Sequence, residues 1–121
     1  MKRNKTIQPL LRQTVTRIVS KFPGVKKIIL FGSYAYGKPG LNSDVDLLII
    51  MKTHKRWPER LRAVDSIFPE RPISMDFIIR TPSEIKKRLT SYFCPFTREI
   101  IRNGRVLYEA PLRRSRLASK G

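Results

Sequence analysis

Residues 31–46 read FGSYAYGKPGLNSDVD. The run from Gly32 to Lys38 spells all but the last letter of a phosphate-binding loop of the form G-x-x-x-x-G-K-[ST]. That loop ends in a hydroxyl able to hold Mg²⁺, whereas Pro39 stands here with neither a hydroxyl nor a backbone N–H. The stretch therefore makes better sense in another frame. Gly32-Ser33 closes an apolar run, and ten residues further on come Asp44 and Asp46.

Working outward, residues 25–31 (VKKIILF) are short and β-branched, as a strand requires. Residues 44–50 (DVDLLII) form a second predicted strand, whose continuous apolar end implies burial on both faces, and residues 73–79 (ISMDFII) a third. Apolar residues from Ile7 to Phe22 recur at helical spacing, and Pro9 is tolerated only in a first turn, so this helix is expected to start near Thr6. Trp57, Leu61, Val64, Ile67 and Phe68 mark a helix over 57–68 with Pro58 in its first turn. Thr81-Pro82-Ser83-Glu84 reads as a capping box, with Thr81 as cap and Glu84 reaching back. A further helix over 96–102 is expected to stop at Asn103-Gly104 in a left-handed turn, and RVLYE (105–109) to form a last strand. This order predicts an α/β (α+β) fold, a small mixed sheet with helices packed on it. Residues 1–110 form one expected domain; residues 111–121 (PLRRSRLASKG), with four basic side chains and no acid, form an expected flexible tail.

Asp44 and Asp46 lie two apart on a predicted strand, so their side chains share a face. Two carboxylates that close repel unless a cation lies between them, and Mg²⁺ is a hard ion that takes oxygen ligands. Asp76, inside the apolar third strand, is costly there unless paired or metal-bound. Three of only nine acids thus converge in a chain of net charge +17. Asp65 and Glu59 read as solvated helix residues and His54 as a solvated loop residue. Tyr34 and Tyr36 read as surface loop tyrosines.

Gly32-Ser33, Asp44-x-Asp46 and the later SMDFI resemble the signature of the polymerase beta-like nucleotidyltransferase superfamily, in particular its minimal nucleotidyltransferase branch. REIIRNGRVLYEA is similar to the usual end of that branch, and the likeness runs from about Val25 to Ala110. The resemblance implies the polymerase beta-like fold, ATP as substrate and two Mg²⁺ ions held by Asp44, Asp46 and Asp76, with these three as catalytic residues. It implies that Gly32 and Ser33, with the N–H groups that follow, bind the triphosphate. The branch commonly has Arg before the second Gly, where this chain has Tyr36. Small members resemble antitoxins that transfer AMP to a tyrosine of a HEPN-domain partner, which makes such a partner the expected acceptor.

The positive charge raises an alternative, a non-catalytic basic module binding nucleic acid or a protein partner. Three acids in one place and no RNA-binding signature make nucleic acid the less favoured partner. A single cysteine, Cys94, excludes an internal disulfide, and no apolar run approaches the roughly 18 residues a membrane helix needs. A soluble cytoplasmic protein is expected.

Overall fold

The computed structural model describes residues 2–37, 44–70, 73–90 and 94–111, with side chains from Ile7 onward. The elements run α1 (Lys2–Lys21), β1 (Val25–Phe31), β2 (Val45–Met51), α2 (Trp57–Asp65), β3 (Met75–Arg80), α3 (Pro82–Thr90), α4 (Pro95–Asn103) and β4 (Arg105–Glu109). Among the described residues the strands form one mixed sheet in the order β3-β2-β1-β4. β1 lies antiparallel to both β2 and β4, while β2 and β3 are parallel and joined through α2.

The alternation of strand side chains divides the core in two. On one face Ile28, Leu30, Leu47, Ile49, Phe77 and Ile79 pack with Leu11 and Ile18 of α1 and Val64 of α2. On the other, Ile29, Phe31, Leu48 and Ile50 meet Ile85 of α3 and Ile100 of α4, with Ile78 beside them. Both faces of β2 are covered, as its apolar run implies, and every residue from Leu47 to Met51 is buried.

The helix ends depart from the sequence reading in instructive ways. α1 begins at Lys2, so Pro9 sits inside the helix rather than in its first turn. Proline has no N–H to give the preceding turn, and the helix runs through at the cost of that bond. α2 ends at Asp65, before Ile67 and Phe68. There the chain tightens into i→i−3 bonds, Ile67 N–H to Val64 O (3.2 Å) and Phe68 N–H to Asp65 O (3.0 Å). That tighter turn carries Phe68 into the core, stacked on Phe77 with ring centroids 5.8 Å apart.

Gly104 does not adopt the expected left-handed stop: its φ of −70° and ψ of 163° are extended. Glycine is required by crowding instead, because a Cβ here would lie 2.5 Å from Ile29 Cγ2 and 2.6 Å from Ile100 O. The predicted cap of α3 forms as read: Thr81 Oγ1 accepts from Glu84 N–H at 3.1 Å and Glu84 Oε1 accepts from Thr81 N–H at 2.9 Å. At α2 the cap is one-sided, Glu59 Oε1 accepting from Arg56 N–H at 3.1 Å, since a guanidinium has no acceptor to return. Lys38, Pro39 and the expected tail from residue 112 lie outside the described residues.

Candidate active site

β2 and β3 are in register with Asp46 beside Asp76. In a parallel pair, residues at matched positions project to the same side of the sheet, so both carboxylates lie on the α3/α4 face. This is the face of Leu48, Ile50 and Ile78, two and four residues further along each strand. Asp44, half-buried, stands just before β2, where Val45 N–H donates to Ser74 O at 2.9 Å and fixes the mouth of the parallel pair. The sequence therefore brings its three singled-out acids to one end of two adjacent strands.

On the other side of β2, Phe31 is the partner of Asp46, and the chain turns immediately afterward at Gly32. Gly32 has φ +78°, a left-handed conformation that favours glycine. A Cβ at this position would collide with Asp46 Oδ2, so the missing side chain makes room for the carboxylate. The conformation and the clearance demand the same residue.

The Asp46 carboxyl is pushed above the usual carboxylate range. The main cause is burial, followed by the negative charges of Asp76 and then Asp44. Asp46 thus feels the charge of both other acids. Asp76 is exposed at its end of the strand.

Ser33 follows Gly32 and is half-buried. The turn uses several N–H groups expected to face phosphate: Ala35 and Tyr36 donate to Gly32 O at 3.0 and 3.3 Å, and Gly37 to Tyr34 O at 3.4 Å. The N–H groups of Ser33 and Tyr34 are not spent in these bonds. Tyr34 is not a surface residue but part of the core, 6% exposed. Tyr36 is exposed, and its hydroxyl donates to Glu99 of α4 at 3.4 Å. Glu99 also accepts from Asn103 Nδ2 at 2.7 Å. Sequence reasoning missed that α4 flanks the site: Phe96 in its first turn, 58% exposed, meets the ring of Phe31 edge-on at 5.8 Å. An aromatic side chain directly after a helix-opening proline is the only sequence signal that it carries.

A second feature was also missed. Arg60 projects from the apolar face of α2, four residues before Val64, and is itself buried. Its guanidinium grips Glu84 bidentately, at 2.8 and 3.0 Å, and donates to Ile79 O at 3.2 Å. This pair ties α2 to α3 across the end of β3. Arg60 above all, then the Thr81 N–H, hold the Glu84 carboxyl down to about 2 against the opposing effect of burial. His54 is exposed in its loop, as expected.

Among the described residues no group of three or more His, Cys, Asp or Glu side chains is poised as it stands to hold a metal ion. The donor set nonetheless suits a hard divalent cation: carboxylate oxygens in register, one partly desolvated and set against a glycine that clears space for it. No helix among the described residues is long and apolar enough to cross a membrane.

Three comparisons with known proteins bear on this arrangement. Residues 11–108 match the family model of the nucleotidyltransferase domain. A Methanocaldococcus jannaschii protein named "putative protein adenylyltransferase" is 30% identical over 99 residues, which cover 81% of this chain and 94% of that protein. The crystal structure of a "putative nucleotidyltransferase" from Sulfolobus solfataricus superposes with a TM-score of 0.63 at 20% identity, covering 88% of this chain and 83% of the other, and so shares the fold. The chain belongs to the nucleotidyltransferase family, enzymes whose substrate is a nucleotide.

Proposed function

We propose that this enzyme transfers AMP from ATP to a protein hydroxyl, with Asp44, Asp46 and Asp76 as its catalytic, metal-holding residues and Gly32-Ser33 as its phosphate-binding turn. The observation that carries the proposal is the register of Asp46 with Asp76, together with the room Gly32 leaves for Asp46. The name of the Methanocaldococcus jannaschii relative supports adenylyl transfer to protein as the reaction. By the resemblance of the branch, the acceptor is a tyrosine of a HEPN-domain partner, and the chain acts as the antitoxin of that pair in the cytoplasm.

In this reading the acceptor hydroxyl attacks the α-phosphorus of ATP. An O–P bond forms as the bond from α-phosphorus to the bridging oxygen breaks, and pyrophosphate leaves. The hydroxyl proton passes to Asp76, directly or through water, which its exposed position permits. Asp44 and Asp46, with Asp76, would hold the Mg²⁺, two ions by the resemblance, at the end of β2 and β3. Mg²⁺, when bound, supplies positive charge for the developing negative charge on the attacking and leaving oxygens. The N–H groups of Ser33 and Tyr34 and the Ser33 hydroxyl are the turn's remaining donors for phosphate.

The test is incubation with ATP labelled at the α-phosphate, Mg²⁺ and the protein encoded by the adjacent gene. The label is expected on a tyrosine of that protein; an unlabelled neighbour, or labelling undiminished in Asp44→Asn, contradicts the proposal.

A further inference from the structure

At the far end of β3 from the acids, Trp57, Arg60, Arg80, Glu84 and Arg88 line a cavity of about 300 Å³. Asp76 and Arg80 are four residues apart on that strand, about 13 Å at a strand's rise per residue, so this cavity is separate from the candidate active site. Its electrostatics are unbalanced. Three guanidiniums face one carboxylate, and Glu84 is already committed to Arg60 and to the cap of α3. Glu84 pairs directly with Arg60, and although its charge also attracts Arg80, neither Arg80 nor Arg88 makes an ion pair with it.

Arg80 is half-buried, and its guanidinium donates to the neighbouring backbone, Ile79 O at 3.2 Å. Burial, and then the charge of Arg88, make its cationic form less favourable than usual. Arg88 is half-buried too, so neither arginine is simply a solvated surface group. Trp57, at the start of α2, is 63% exposed, the most exposed of the large apolar side chains among the described residues. Two half-buried like charges beside an uncovered indole repel one another, and an anion carrying a flat ring would relieve that repulsion and cover the indole together.

We infer that this cavity binds a nucleotide unit of single-stranded nucleic acid, its base stacked on Trp57 and its phosphates on Arg80 and Arg88. Guanidiniums match phosphate oxygens in a planar fork, and indole–base stacking tolerates any base. The net charge of +17 favours a polyanion over a small ligand. An acidic peptide would satisfy the arginines and leave the indole uncovered.

Trp57 is the only tryptophan in the chain, so its fluorescence reads the cavity directly. The full chain is titrated with an oligouridylate of about ten nucleotides, within the span such sites cover. Quenching is expected. The double variant Arg80→Gln, Arg88→Gln should bind at least about tenfold more weakly, with a log–log salt dependence shallower by about 1.4 for two lost phosphate contacts. The charge-matched control Lys86→Gln, Lys87→Gln, exposed on α3, should bind nearly as well as the parent chain. Trp57→Ala, read by anisotropy of a labelled oligomer, should weaken binding about tenfold without threatening the fold.

Binding without quenching overturns the inference, as does an equal loss in the lysine control or an unaffected Trp57→Ala. Uridine monophosphate matching the oligomer's affinity would overturn the assignment to nucleic acid in favour of a free nucleotide. Polyglutamate quenching as strongly as the oligomer would overturn it in favour of an acidic protein.

Discussion

At Gly32 two demands fall on one residue: a φ of +78° and clearance for the Asp46 carboxylate. Gly32→Ala meets neither, and should destabilise the chain by about 1–3 kcal/mol, as strained backbone positions do, measured as a lower urea midpoint. It should also lower transfer, because Asp46 must move. Asp46 presents the opposite balance. Its carboxyl is raised by burial, then by Asp76 and Asp44, so the charged form opposes folding at neutral pH. Removing that charge in Asp46→Asn should leave the chain at least as stable as the parent, the gain kept small by solvent screening of a partly exposed group, as the trade-off between stability and activity at a functional site predicts. The same variant should transfer nucleotide at least about a hundredfold more slowly, because cation-held charge stabilisation is worth several kcal/mol. A thermal melt and a transfer assay on one preparation check both halves.

Among the elements, β1 and β4 appear where their β-branched and alternating residues place them, at Val25–Phe31 and Arg105–Glu109. The acids were legible for the same reason: a charge inside an apolar strand has few explanations. Less legible was whatever depends on a neighbour distant in sequence. The early end of α2 follows from Phe68 turning in to stack on Phe77, a partner no local pattern names. Gly104 read as a left-handed stop, yet its reason is Ile29 on another strand. The Arg60–Glu84 pair had a faint local trace, an arginine on an apolar helix face, but its partner lies on α3. That pair makes a prediction for the packing of α2 on α3. Glu84→Gln leaves a buried guanidinium without its counter-charge and should cost about 2 kcal/mol, somewhat under the range for fully buried pairs because Glu84 is partly exposed. The pH dependence has a definite sign. Glu84 has its folded-state pKa depressed to about 2 from the ordinary 4.5, so its stabilisation is full above 4.5 and is lost as pH falls toward 2. The stability gap between parent and Glu84→Gln should therefore narrow across that interval in urea titrations at stepped pH.

For the whole molecule, a formal net charge of +17 on 121 residues sets a background of self-repulsion. Salt screens it, with a Debye length of about 10 Å at 0.1 M, so the melting temperature should rise as ionic strength increases from very low values toward about 0.1 M. A flat or falling melting temperature would mean that local pairs outweigh the global field. Against that background the sheet gathers negative charge in one place, Asp44, Asp46 and Asp76 at the end of β2 and β3, and a cation-dependent transfer is what the gathering is proposed to serve. The direct test is the initial rate of α-phosphate label transfer from ATP as free Mg²⁺ is raised from zero, in the parent chain and in Asp46→Asn and Asp76→Asn. The parent chain should show no transfer after chelation and a rate that climbs with Mg²⁺, and both variants should stay near background throughout. Transfer that persists without divalent cation, or that survives in the two variants, would contradict the account.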